Sequence, residues 1–230
     1  MSRVDLALAS VLGRLPSRRM RTSAKRHAEL AYWRRQRSLE GGLLGYQYER
    51  FFTDYFGLAR EGYRGKRILD IGCGPRGTLE WAEDASERIG LDPLAGDYRK
   101  LGAGEHAMTY VDGRAESIPF ATGHFDVVAS FNSLDHVDDL DLAIAEIARV
   151  TAAGGWLLLL TEVGHDPTFT EPQAFGWEVL DRFAGDWTVL EARRIARSAQ
   201  TMMGSLDNGV ELDADDPGPG YLAARLERAR

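Results

Sequence analysis

Apolar residues along this chain gather into short runs set between segments of helical period. Residues 68–71 form one such run, Ile68, Leu69 and Ile71, interrupted by a single carboxylate at Asp70. The run predicts a parallel strand buried on both faces, and it breaks into the turn Gly72-Cys73-Gly74-Pro75-Arg76-Gly77. Residues 76–85 are helix-compatible, so the turn is expected to deliver the strand into a helix N-terminus. Further strands are predicted at 88–92, 107–111, 125–130, 156–160 and 187–196. A helical piece is expected at 94–102. Leu140, Ile144, Ile147 and Val150 recur at helical spacing, with Asp138, Asp139 and Asp141 at the N-terminal flank and Arg149 near the end, as the helix dipole favours. Gly154-Gly155 is expected to end that helix. Residues 177–183 read as helix, 205–220 as an acidic Gly- and Pro-containing loop, and 221–230 as helical by propensity alone.

Strands alternating with helices predict an α/β fold, a doubly wound and mostly parallel sheet with its ligand at the carboxyl ends of the strands. Gly72 and Gly74 lack a Cβ and let the backbone approach a ligand closely. Ahead of the first strand, residues 27–60 are aromatic-rich and split by Gly41-Gly42. The division expected from this is an N-terminal helical cap or lid at 1–60 and a ligand-binding domain at 61–230. Trp33, Tyr46, Tyr48, Phe51 and Phe52 either roof a substrate pocket or belong to the core.

Composition narrows the class. In 230 residues, 44% hydrophobic and 27% charged content is that of a globular protein. No apolar run approaches the roughly 18–20 residues needed to cross a membrane, and no signal-peptide layout is visible, so a cytoplasmic location is expected. The single cysteine, Cys73, excludes an internal disulfide and a cysteine-based metal cluster. Residues 1–40 hold ten Lys/Arg against three Asp/Glu, leaving 18 against 32 in the rest. Only three of the 28 basic residues are lysines, so arginine richness is a habit of the whole chain, and nucleic acid is not an expected partner.

The spacing Gly72-x-Gly74-x-x-Gly77, with Asp92 twenty residues beyond Gly72, satisfies the dinucleotide fingerprint. Asp70 argues for another cofactor. A carboxylate there repels a pyrophosphate but suits a ligand carrying an ammonium and a sulfonium. The stretch 68–77 resembles the first motif of class I S-adenosylmethionine-dependent methyltransferases, of the small-molecule type found in ubiquinone and menaquinone biosynthesis. Four further stretches match that layout in order, so the resemblance covers about 65–200.

The resemblance implies a seven-stranded Rossmann-like sheet whose seventh strand runs antiparallel beside the sixth. That strand is placed at 221–229, against propensity. The implied cofactor is S-adenosylmethionine, leaving as S-adenosylhomocysteine. Its contacts are assigned to Asp70, Gly72, Cys73, Gly74, Asp92, Pro93, Arg114, Ala115, Glu116, Phe131 and Asn132. Asp92 is placed to accept from both ribose hydroxyls. Arg114 stands where the family usually has an aspartate for the adenine amino group, which leaves Ala115 and Glu116 backbone groups, or Asp112, to serve adenine. The strand end near Phe131 is where the family holds the methionine ammonium.

The implied reaction is methyl transfer to a small-molecule acceptor, first at oxygen and alternatively at nitrogen. From other classes come a nicotinamide oxidoreductase and a catalytically silent cofactor-binding module. Oxygen acceptors profit from a general base. His136, at the mouth of the fourth strand, and His165, beyond the fifth, are the candidates, because an imidazole is largely neutral at cellular pH and can accept a proton. Asp135, His136 and His165 also raise a metal-assisted reading, but no tight ligand spacing supports it and no metal is expected.

Overall fold

The computed structural model describes residues 18–43 and 47–230, with side chains from residue 23. Tyr46 and the first part of the basic arm lie outside the described residues. The seven strands are β1 (Arg67–Ile71), β2 (Glu87–Asp92), β3 (Thr109–Asp112), β4 (Phe125–Phe131), β5 (Thr151–Val163), β6 (Trp187–Ala196) and β7 (Gly220–Arg228). They form one sheet in the order β3-β2-β1-β4-β5-β7-β6. The chain reverses direction across the sheet between β1 and β4, which pair in parallel. This puts a topological switch point beside the glycine turn that follows β1, where ligands bind in such sheets.

Alternation along the strands builds two apolar layers. Leu69, Ile71, Val128, Leu157 and Leu159 face one side, with α4 (Leu140–Val150) packed on them through Ala143 and Ile147. Ile68, Val127, Ala129, Leu158 and Leu160 face the other. There they meet Phe51, Phe52, Tyr55, Phe56 and Tyr63, from α2 (Glu49–Phe52) and the turns after it. Residues 49–63 thus belong to the core of the sheet. The segment that stands apart is α1 (Arg18–Glu40), which buries Leu30 and leaves most of its described side chains in solvent. Two short helices, α3 (Ala95–Lys100) and α5 (Met202–Asn208), complete the described regular elements besides 3-10 turns. None of the described helices is long and apolar enough to cross a membrane.

Four local expectations give way. Residues 76–85 are not a helix. They run through successive turns closed by Glu80 N to Gly77 O, Ala82 N to Leu79 O and Ala85 N to Ala82 O. Gly77 has φ +67°, and its neighbours' polar groups go to distant partners. The Thr78 hydroxyl donates to Asp70, and Glu80 accepts from the amides of Ala107 and Met108. The Gly154-Gly155 pair does not stop α4, which ends at Val150. It forms a bulge inside β5 where the pairing jumps from Phe125–Thr151 to Val127–Trp156. Trp177–Phe183 is a 3-10 segment, and part of the expected loop at 205–220 is α5.

β7 lies antiparallel between β5 and β6. Its first five residues are all buried, so no alternation marks it as a strand in the sequence. The burial of both faces overrides helix propensity here.

Candidate functional site

At the carboxyl ends of β1, β2 and β4 opens a cavity of about 1210 Å³. All eleven residues expected around a cofactor, from Asp70 to Asn132, lie on its wall, and so does His136. His165 does not. It sits on the loop after β5 with Nδ1 donating to the Asp166 carbonyl at 3.0 Å. Asp112, the alternative adenine partner, is not on the wall either. Its carboxylate accepts from Gly96 N and the Arg99 guanidinium.

The glycine turn is closed on both sides. Gly72 has φ +71°, and a Cβ there would stand 2.4 Å from that of Ser133, so no larger residue fits. Ser133 Oγ donates to the Ile71 carbonyl at 2.8 Å and ties the end of β4 to the end of β1. A Cβ on Gly74 would reach the Trp33 ring at 3.3 Å, because α1 lays Trp33 over the turn. Arg76 stacks on the same ring at 5.4 Å and makes a two-pronged pair with Glu40. The Cys73 thiol is buried toward Gly90 and Met108, and burial pushes it up, which disfavours a thiolate.

Two carboxyls are buried in this wall. Asp70 is 2% exposed and Asp92 5%. Burial raises Asp70 to about 7, opposed by the Thr78 hydroxyl bond and reinforced by the charge of Asp92. Burial also raises Asp92 to about 7, with Glu29 adding to it, while the amides of Leu94 and Gly74 oppose it. Those amides donate at 2.8 and 3.2 Å, so Asp92 organises the loops after β1 and β2 as well as facing the cavity. Asn132, at φ +49°, carries a side-chain oxygen that is buried and has no hydrogen-bond partner among the described residues. A buried orphan acceptor costs about 1–3 kcal/mol unless a donor reaches it. The ends of β4 and α2 are locked by Phe131, whose ring packs on Phe51, Phe52 and Phe56 at 4.8–6.0 Å.

Arg114, on the cavity wall, makes ion pairs to Glu116 at 3.0 Å and Asp138 at 2.7 Å. Burial opposes the ionised Glu116, but Arg114 and the Asp138 amide hold its carboxyl below the ordinary value. This knot joins the loop after β3 to the start of α4, where Asp139 accepts from the Leu142 amide as an N-cap.

Lys25 and Glu171 also line the cavity and carry no motif. The Lys25 ammonium donates to the His136 carbonyl at 2.8 Å, and burial lowers its pKa against the pull of Asp138 and Glu29. The one available signal for Lys25 was its rarity in a chain that otherwise uses arginine. Of the aromatic residues expected to roof a pocket or fill the core, Trp33, Tyr48 and Phe51 line the cavity, and Phe52 is core.

An S-adenosyl ligand fits this donor and acceptor set. The orphan Asn132 oxygen and Asp70 can take an ammonium, and Asp92 can accept from hydroxyls. A dinucleotide fits less well, because its pyrophosphate relies on a helix N-terminus. Here the glycine turn leads into turns, with a buried carboxyl beneath it.

Comparison with known proteins agrees. Residues 69–159 match the sequence model of a family described as methyltransferase domain. The chain is 32% identical over 139 residues to demethylmenaquinone methyltransferase of Thermobifida fusca, covering 56% of this chain and 57% of that one. It is 34% identical over 119 residues to malonyl-[acyl-carrier protein] O-methyltransferase of Enterobacter lignolyticus, covering 50% and 45%. The chain spans about half the length of the curated relatives it matches. The crystal structure of N-methyltransferase NodS from Bradyrhizobium japonicum superposes with a TM-score of 0.56 at 16% identity, over 79% of this chain and 96% of that one. The sheet is the one such folds share.

Proposed function

We propose that the chain, whose residues 69–159 match the methyltransferase-domain family, is a class I S-adenosylmethionine-dependent methyltransferase that methylates a small molecule. S-adenosylmethionine is the methyl donor that the family implies, and when bound it supplies a methyl group already activated by the sulfonium. The observation that carries the reading is the trio on one wall: two buried carboxyls, Asp70 and Asp92, and the partnerless oxygen of Asn132. Asp70 and Asn132 hold the ammonium end, Asp92 and Pro93 the ribose. Ala115 and Glu116 flank the adenine through backbone groups, since Arg114 is spent on Glu116 and Asp138. Gly72, Cys73 and Gly74 give a bare backbone floor, and Phe131 closes the wall at the end of β4, where the ammonium end would be held.

The remaining work is alignment and exclusion of water, which together lower barriers by as much as roughly 7–11 kcal/mol in the best intramolecular analogues. α1 acts as the lid, pinned by Lys25 to the His136 carbonyl and by Arg26 to Asp97. His136 is the side chain assigned to meet the acceptor's proton, with His165 second because it stands off the wall. The acceptor is an oxygen of a metabolite or natural-product intermediate. An amine is the alternative, which needs no base. A small molecule is the partner expected, with nucleic acid disfavoured by the acidic body of the chain.

Isothermal titration against S-adenosylhomocysteine and NAD separates this reading from an oxidoreductase. Turnover of methyl-labelled S-adenosylmethionine with a metabolite pool, read by mass spectrometry, separates it from a silent binding module. Binding of NAD in place of S-adenosylhomocysteine overturns the proposal.

A further inference from the structure

Beyond the cofactor wall, the cavity has a corner where methyl transfer uses His136 but leaves its two acidic neighbours, Asp135 and Glu171, unexplained. It is built from the 3-10 turn Leu134–His136 after β4 and from the loop that follows β5. The backbone of Gln173 donates to the Asp135 carbonyl at 3.1 Å, and its side chain donates to the Val137 carbonyl at 3.2 Å. These two bonds hold the loop against the turn. As a result Glu171, remote in sequence, meets Asp135 and His136. One ligand atom from each of the three lies within 4.8 Å of the others.

A second observation sets this cluster apart from an ordinary acidic patch. Asp135 is 1% exposed, and its Oδ1 is buried with no hydrogen-bond partner among the described residues. That oxygen points toward the cluster, 3.9 Å from His136 Nε2. Leaving a carboxylate oxygen buried and unpaired is costly, and proteins meet that cost with a partner or a metal. Burial pushes the Asp135 carboxyl up. The imidazole of His136 pulls against burial and the charge of Glu171 adds to it. His165 is felt there too, and its Nε2 is another buried atom without a partner. Since its Nδ1 donates to the Asp166 carbonyl, that Nε2 presents a lone pair.

We infer that Asp135, His136 and Glu171 form a binding site for one divalent first-row transition cation at the His136 end of the cavity. Two carboxylates and an imidazole suit Mn²⁺ or Zn²⁺ better than Mg²⁺ or Ca²⁺, which favour all-oxygen shells. With bonds of about 2.0–2.2 Å, ligand atoms on one such ion lie roughly 3–4 Å apart. Asp135 Oδ1 and His136 Nε2 are already in that range. Glu171 reaches it by a side-chain rotation that gives up the bond its Oε2 accepts from the Thr168 hydroxyl at 3.2 Å.

His136 and Glu171 line the cavity, so the ion faces the open space and keeps positions free for an exogenous ligand. The neighbouring positive charge is Lys25, which is committed to the His136 carbonyl and held among Asp138, Glu29 and Asp135. If the protein is a methyltransferase, coordination of an acceptor oxygen here would acidify it in place of an imidazole base. The binding site itself does not depend on that reading.

The test is Mn²⁺ alone, titrated into the full chain after removal of metals with chelator and followed by loss of the free Mn²⁺ electron paramagnetic resonance signal. One equivalent is expected to bind, displaced by Zn²⁺. Asp135→Asn and Glu171→Gln should each weaken binding by about tenfold or more. Asp166→Asn, an exposed carboxylate on the same loop, should bind as the wild type does. Should Asp135→Asn fail to fold, Glu171→Gln decides alone. Absence of Mn²⁺ binding, or binding unaffected by Glu171→Gln, overturns the inference whether or not the protein transfers methyl groups.

Discussion

Replacing Asp70 by asparagine should weaken S-adenosylhomocysteine binding while leaving the fold as stable as before or more so. Asp70 and Asp92 each stand at about 7 in the folded, ligand-free protein, against an ordinary value of 3.8. That difference is about 4 kcal/mol of opposition to each ionised form. The folded state therefore holds protons that the unfolded chain releases between roughly pH 4 and 7. The stability this contributes is fully present below 3.8 and is lost as pH rises through about 7. Binding an ammonium and ribose hydroxyls needs the ionised forms, so affinity moves the other way. It should rise about tenfold per carboxyl between pH 6 and 8, and about a hundredfold for the pair. Asp70→Asn keeps the volume and an acceptor for Thr78 but removes the charge. A charged hydrogen bond is worth about 1.5–3 kcal/mol, so affinity at pH 8 should fall roughly 10- to 150-fold. The remaining pH dependence should shrink to that of Asp92 alone, and Asp92→Asn should leave that of Asp70. The assay is calorimetric titration at pH 6, 7 and 8 in two buffers of different ionisation heat, which also counts the protons released, alongside thermal melts. Wild-type affinity that is flat from pH 6 to 8, or an Asp70→Asn protein that binds normally, would refute the reasoning.

Two other substitutions separate lid from core. Trp33→Ala removes the ring above Gly74 and Arg76 and should speed S-adenosylhomocysteine release in stopped-flow while the melting temperature stays within a degree or two; an unchanged release rate argues against α1 as a lid. Phe52→Ala, fully buried between Phe131, Trp81 and Tyr63, should cost about 3–5 kcal/mol in denaturant unfolding; a loss under about 1 kcal/mol would make residues 49–63 a detachable cap.

The sequence by itself determined the parts in which local pattern and burial coincide. β1, β2 and β4 were legible within a residue or two because their apolar runs are short and bounded by turn residues. α4 was legible through its helical period and the aspartates at its N-terminal flank. The glycine turn and the two aspartates announced a ligand wall, since carboxyls beside bare backbone have a chemical meaning that needs no tertiary contact.

Tertiary structure alone decided the rest. Residues 76–85 have helix-compatible composition, yet Thr78 and Glu80 find partners on β1 and before β3 that outweigh the helix. β7 reads as a helix by propensity; the family resemblance placed a strand at 221–229, and burial between β5 and β6 is the physical reason that it is one. Arg114 matched an adenine-loop position by resemblance, and only the fold shows that it pairs with Glu116 and Asp138. Lys25, Asp135 and Glu171 gave no spacing to read because they converge from α1, the turn after β4 and the loop after β5. Periodicity reports how a segment meets its own neighbours along the chain. A site assembled from three segments exists only once the sheet has brought them together.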